Sequence, residues 1–212
     1  MLTRPELLLL RHGETEWNRQ GRFQGAGDSD LTSVGRAQAH AMGDILKGLA
    51  VSAGSHVAKT SPQGRARATA QIALEPLGLV ATAEPRLVEI GMGDWTGLSR
   101  PEINHRWPGP EHESLFGFYA RCPKGEPLAD VARRAQSVLD EQTDPLVIVT
   151  HGVTLRILCA LALNRPLGFG GHLTLRQGCV VRIASGCLEI LTPDSAALPV
   201  ALLPGNTPPR GG

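Results

Sequence analysis

Apolar positions gather along this chain in two short unbroken runs, each ended by the same kind of polar group. Residues 7–10 are four consecutive leucines and lead into Arg11-His12-Gly13, while residues 146–149 read Leu-Val-Ile-Val and lead into Thr150-His151-Gly152. A continuous apolar run of this length suits a strand buried on both faces of a parallel sheet, more so when β-branched. The second run meets that description; the leucines alone are equally compatible with a helix. In open α/β sheets ligands gather at the carboxyl ends of such strands. Both runs carry histidine and then glycine at that end.

Between and after these runs the spacing predicts helices. Thr32 can cap a helix whose apolar face runs through Val34, Ala37, Ala41, Ile45 and Leu49. Ser61-Pro62 is a second start signal, a capping hydroxyl followed by proline in the first helical position. That helix carries Arg65, Ala66, Thr69, Ala70 and Ala73 and ends before Pro76. Residues 128–141 and 153–163 predict two more, the latter beginning directly after His151-Gly152. Residues 173–192 alternate with glycine punctuation and predict two closing strands. The stretch 90–127, rich in glycine, proline and aromatics, reads as a long excursion with short helical pieces, and such insertions are more often functional than idle. From Pro193 onward proline and glycine accumulate to a terminal PPRGG, which predicts a poorly ordered tail. The pattern therefore predicts one α/β domain over residues 1–192 and a tail over 193–212.

Composition narrows the function classes. A chain of 212 residues with 42% hydrophobic content can bury a substantial core. Lysine and arginine number 21 against 20 aspartates and glutamates, a formal net charge of +1. That balance argues against nucleic-acid or anionic-membrane partners, which call for a basic excess or stripe. Anion binding must then be local, built from a few convergent groups. Cys122, Cys159, Cys179 and Cys187 show no CxxC or zinc-finger spacing and are expected to stay reduced in a cytoplasmic protein. The N-terminal apolar stretch is too short for a signal peptide, and no run approaches the roughly 20 residues that span a bilayer. With no HExxH and no ligand-like histidine spacing, no metal or other cofactor is expected.

Arg11-His12 sets two cationic or chargeable groups at the end of a buried segment, where charge is costly unless paired. Taken singly, His12 suits a structural role and Arg11 a structural salt bridge, while Glu89 suits a solvated surface carboxylate. The ordered set of motifs says more. RHGETEWN at 11–18, RFQG at 22–25 and DLTSVGRAQA at 30–39 resemble the opening of the histidine phosphatase superfamily, the phosphoglycerate-mutase-like proteins. SPQGRARATA at 61–70 is similar to that family's second arginine motif, LVEIGMGDWTGLS at 87–99 to its acid-donor segment, and VTHG at 149–152 to its second histidine motif.

The resemblance implies a three-layer α/β sandwich with a mostly parallel central sheet flanked by helices. It also implies a small-molecule phosphate ester as substrate and His12 as the nucleophile that becomes phosphohistidine. Moving a phosphoryl group needs cations around its equatorial oxygens, and Arg11 and Arg65 supply planar forks suited to them. His151 is implied to bond a phosphate oxygen, and Glu89 to act as general acid and then base. Gly13 is expected to let the backbone approach the oxyanion. Asn18, Gln24, Gly25, Gly152 and Arg100 are expected on the substrate-binding side, with capping or packing as the other reading of Asn18 and Gln24.

Within the family, mutases carry a tyrosine soon after the acid and paired arginines in a longer insertion. Here Ile90-Gly91-Met92 follows Glu89, and Arg100, Arg106 and Arg121 occur singly among aromatics. The sequence thus resembles the phosphatase branch, a metal-independent phosphomonoesterase. A cofactor-dependent phosphoglycerate mutase and a non-catalytic phospho-ligand-binding module stand as alternatives.

Overall fold

The structure, a computed structural model, describes residues 4–193 and the backbone of 198–199. Seven strands, β1 (Leu7–Arg11), β2 (Val57–Thr60), β3 (Thr82–Ala83), β4 (Leu146–Thr150), β5 (Val180–Ala184), β6 (Cys187–Leu191) and β7 (Leu198–Pro199), form one sheet in the order β3-β2-β4-β1-β5-β6-β7. Pairing is parallel from β3 to β1 and antiparallel beyond it, so only β5 and β7 oppose the common direction. The two apolar runs are neighbours. β1 lies beside β4 in parallel register, with Leu7 opposite Leu146 and Arg11 opposite Thr150.

The leucine run is a strand because both of its faces have a core to enter. Leu7 and Leu9 join Leu146 and Ile148 on one side, while Leu8 and Leu10 join Val147 and Val149 on the other. All four leucines are 0% exposed, each gaining roughly 1.5–3 kcal/mol over an exposed position. Helices α1 (Glu16–Arg19), α2 (Ser33–Gly48), α3 (Gly64–Leu74), α4 (Arg100–Arg106), α5 (Leu115–Ala120), α6 (Leu128–Asp140), α7 (Gly152–Ala162) and α8 (Leu167–His172) complete the described chain, with short 3₁₀ turns between them. Met42 and Leu46 of α2 and Ala66, Ala70 and Leu74 of α3 cover the Leu8/Leu10 face. Val131, Val138 and Leu139 of α6 and Leu155 and Leu158 of α7 cover the Leu7/Leu9 face. The result is the expected three-layer α/β sandwich.

Two expectations are corrected, and two strands are added that no pattern predicted. Thr32 does cap α2, its hydroxyl accepting from the Gly35 N–H at 3.0 Å, but the buried face is Gly35, Ala39, Met42, Gly43 and Leu46. Val34 is 52% exposed. The spacing of large apolar groups missed this because two of the inward positions are glycines, chosen for close approach rather than hydrophobicity. Ser61 is likewise not the cap of α3, which starts at Gly64 after Gln63 without a side-chain cap. Strands β2 and β3 carry too few large apolar residues to stand out: Val57 of β2 is half exposed, and β3 is only Thr82–Ala83.

The excursion folds as expected into short pieces, a 3₁₀ turn at Gly93–Trp95 followed by α4 and α5. Trp95 and Phe118 hold them together, with ring centroids 4.7 Å apart. β7 pairs with β6 from within the stretch predicted as a poorly ordered tail, and apart from Pro193 and that backbone the tail lies outside the described residues. All four cysteines are free, and among the described residues no helix is long and apolar enough to cross a membrane.

Candidate active site

Register builds the centre of the site. Because β1 and β4 pair in step and point the same way, the residues just past their ends must meet. His12 donates its backbone N–H to the Thr150 carbonyl at 2.9 Å, and the rings of His12 and His151 stand 5.2 Å apart between centroids. The two histidines are 3% and 0% exposed. The Nδ1 of His12 lies 2.8 Å from the Gly13 carbonyl. A carbonyl can only accept, so Nδ1 carries the proton and Nε2 keeps its lone pair.

Burial, reinforced by the Arg11 and Arg65 guanidinium groups, holds His12 well below the usual imidazole range, against a smaller opposite pull from the Gly13 carbonyl. His151 is held low by burial first, then by His12, Arg65 and Arg11. Both rings are therefore neutral near pH 7. A neutral imidazole with a free Nε2 is what nucleophilic attack requires.

Around His12 runs a cavity of about 240 Å³, lined among others by Arg11, Asn18, Gln24, Gly25, Arg65 and Glu89. Arg65, two residues into the first turn of α3, bonds the carbonyls of Gly27 and Gly25 at 2.6 and 3.0 Å and pairs with Asp28 at 3.0 Å. Among the described residues Arg11 forms no ion pair. Arg11 Nε, Arg65 Nε and His151 Nδ1 are buried with no hydrogen-bond partner among the described residues. His151 Nε2 is 2.7 Å from the Ser61 hydroxyl, which is where the misread Ser61 does its work.

Glu89 sits at the start of α7. Its carboxylate accepts from the N–H groups of Val153 at 3.1 Å, Thr154 at 3.2 Å and Ile90 at 3.0 Å. Thr150 and Thr154 hydroxyls bond the carbonyls of Leu87 and Val88, tying the segment that carries Glu89 to β4 and α7. Gly152 lies between: a Cβ there would stand 3.5 Å from the Arg11 guanidinium and 3.6 Å from the Glu89 carboxylate.

The other expected residues fare unequally. Asn18 accepts through Oδ1 from the Thr15 N–H and from Gln177 Nε2, so its own N–H groups are left for the cavity. Gln24 is engaged at both ends, donating to the Thr15 hydroxyl and accepting from Ser29. Gly25 has φ +51°, and its carbonyl accepts from Arg65 and Gln63. Gln24 and Gly25 thus brace the wall they line.

Gly13 is corrected. Its N–H is given to the Thr69 hydroxyl at 3.0 Å, and a Cβ would lie 2.2 Å from the Gly35 carbonyl of α2. The glycine serves contact with α2, not approach to an oxyanion. Arg100 is corrected too. It stacks on Phe118 at 3.7 Å and turns toward Glu113, outside the cavity lining.

Two residues escaped the sequence reading. Gln63 donates to the Gly25 carbonyl and accepts the Glu89 N–H, both at 2.8 Å; its signal was its place inside SPQGR. Gln177 donates to the His12 carbonyl at 3.2 Å and to Asn18 at 3.0 Å, and no local pattern marks it. Of the aromatics of the excursion, Tyr119 of α5 lines the cavity. Among the described residues no cluster of three or more His, Cys, Asp or Glu side chains is placed to hold a metal ion.

Comparisons with known proteins show the family and the fold. The model of the histidine phosphatase superfamily (branch 1) matches residues 7–186. A probable phosphoglycerate mutase GpmB of Erwinia tasmaniensis is 34% identical, over 84% of this chain and 84% of its own length. Among solved structures, a mycobacterial glucosyl-3-phosphoglycerate phosphatase in complex with VO3 superposes with a TM-score of 0.72 at 29% identity, covering 85% of this chain and 91% of that one. YhfR of Bacillus stearothermophilus gives 0.67 at 31% identity, covering 89% and 96%.

Proposed function

The chain belongs to the histidine phosphatase superfamily, and from that premise we propose that it is a metal-independent phosphomonoesterase acting on a small phosphorylated metabolite through a phosphohistidine. The observation that carries this reading is the state of His12. It is held neutral by burial, its tautomer is fixed by the Gly13 carbonyl, and it is set beside Arg11, whose buried Nε has no hydrogen-bond partner among the described residues.

In the first step Nε2 of His12 attacks phosphorus, the bond to the ester oxygen breaks, and Glu89 gives its proton to that oxygen. Arg11, Arg65 and His151 hold the equatorial oxygens, and Asn18 donates from the side. In the second step the Glu89 carboxylate takes a proton from water, the oxygen of that water attacks phosphorus, and the P–N bond breaks. Inorganic phosphate leaves, and His12 and Glu89 return to their starting states. The resident charges favour a dianion, and low-dielectric burial strengthens that attraction.

The curated relatives called probable phosphoglycerate mutases favour a second reading, transfer back to a phosphoglycerate. Against it, Arg100 and Arg121 of the excursion both turn to Glu113, and Arg22 at the cavity wall gives its guanidinium to the Gly97 carbonyl, so among the described residues no paired arginines are set aside for a carboxylate. The test is a panel of phosphomonoesters that includes p-nitrophenyl phosphate, run beside 3-phosphoglycerate with and without 2,3-bisphosphoglycerate. Turnover of esters to inorganic phosphate that survives chelator, and that falls by about 10⁴-fold or more in His12→Ala, is expected. Interconversion of phosphoglycerates without net phosphate release would install the mutase instead.

A further inference from the structure

The lining of the cavity is of two kinds: Arg11, His12, Arg65 and Glu89 bring charge or a nucleophile, whereas Phe23, Ile90, Met92 and Tyr119 bring apolar and aromatic surface. Arg11 apart, the nearby cations are already engaged, Arg100 with Glu113. Arg22 gives its guanidinium to the Gly97 carbonyl and lies 3.8 Å from Glu102, and Arg156 donates to the backbone carbonyls of Gly152 and Leu173. Tyr119 is different. Its ring is fixed edge-on against Phe23 at 6.2 Å and against Phe118 at 5.4 Å. Its hydroxyl has no hydrogen-bond partner among the described residues. Burial, with the Glu89 charge next in weight, pushes the phenol up to about 12. It therefore remains a neutral donor across the physiological range.

Resting on the hydrolase reading above, we propose that Tyr119 selects the leaving group: its hydroxyl donates to an oxygen of an uncharged, hydroxylated alcohol, whose carbon skeleton lies against Phe23 and Met92. The substrate class is then a phosphate monoester of a small polyol or sugar-like alcohol rather than of a hydroxy acid, because Arg11 is taken by the phosphoryl group and the other cations acting on Tyr119, Arg100 and Arg156, are engaged within the protein. The volume, about 240 Å³, falls below the usual range of drug-sized pockets, so only a small leaving group fits inside.

Tyr119→Phe removes the hydroxyl and keeps the ring that packs on Phe23, so the fold is preserved. The experiment compares kcat/KM of both proteins on glycerol 2-phosphate, whose leaving group is a polyol, and on phenyl phosphate, whose leaving group offers no second oxygen. The variant is expected to lose about five- to tenfold on glycerol 2-phosphate, the worth of one hydrogen bond between neutral groups, and less than about twofold on phenyl phosphate. Equal losses on both esters, or none on either, overturn the role of Tyr119 and leave the hydrolase reading standing. A wild-type protein that hydrolyses neither ester overturns the hydrolase reading, and this one with it.

Discussion

At the cavity His12 and Arg65, with His151 beside His12, are placed by backbone, whereas Phe23 and Tyr119 are placed by rings. The first group stands at the ends of paired strands and in first helical turns, where register and helix geometry leave little freedom. The second sits on a loop and on a six-residue helix, held by aromatic contacts between separate segments. A strand end cannot shift without slipping its whole ladder; a ring on a short helix can be exchanged for another. One side is suited to an unchanging reaction, the other to a changeable choice of leaving group. Altering the first should affect every ester, and altering the second only some.

Glu89→Gln tests that division most severely. Glu89 belongs to the rigid side, yet its proposed proton goes to the leaving oxygen. Loss of a general acid slows reaction by about 10²–10⁴-fold, and esters that need protonation most should suffer most. Alkyl phosphates are expected to lose the full factor and p-nitrophenyl phosphate far less. Glu89 also caps α7 through the N–H groups of Val153 and Thr154. If capping were its whole role, all esters would slow equally, so a uniform loss across leaving groups removes Glu89 from proton transfer.

The two sides also differ in how much of them the sequence revealed. His12, Arg65, Glu89 and His151 lie in contiguous motifs whose order mirrors the chain's path through the sheet. The apolar runs before the histidines predicted strand ends, and parallel pairing brings those ends together. Tyr119 and Gln177 are brought to the site by the packing of α5 and of the segment before β5, and a single sequence carries no period for that. Arg100 shows the converse. An isolated arginine near aromatics suggested a substrate contact, but Glu113, thirteen residues away, competes for it successfully. The buried face of α2 was misread for a related reason, because glycine at 35 and 43 marks contact without any hydrophobic signal.

Those glycines give the next test, smaller in effect. A Cβ on Gly35 would stand 2.0 Å from the Glu14 carbonyl, a backbone atom that cannot rotate away. Gly35→Ala is expected to cost about 1–3 kcal/mol of stability by overpacking and to lower activity on all esters by displacing residues 12–14. On the other side Gly171 of α8 has only the Phe116 ring at 3.6 Å, an ordinary contact. Gly171→Ala is expected to be neutral or slightly stabilising, since alanine is the better helix former. Thermal denaturation of both variants checks the contrast, and equal destabilisation would mean that the two sides are equally rigid.

The smallest effect concerns the charge state of the rigid side. His12 and His151 are both held well below the unfolded imidazole value of about 6.5. Above that value neither state binds the proton and the histidines leave stability unchanged. As pH falls below it the unfolded chain takes up protons that the native state refuses, so stability is lost progressively down to the native pKa values. The paired carboxylates respond lower: Glu84, held to about 2 mainly by Arg86, loses its contribution as pH falls from the unfolded value of 4.5 to that native value. Between pH 7 and pH 5 the fall in Tm therefore reports chiefly on the two histidines. His151→Asn should make that fall shallower, because asparagine does not titrate and is a favoured residue at the start of a helix, the place His151 occupies before α7. Inorganic phosphate should flatten the wild-type curve as well, since an anion between the arginines lets both rings accept protons in the native state. Parallel curves for wild type and His151→Asn, unchanged by phosphate, would show that His151 is not held neutral against protonation and that this side is not poised for an anion.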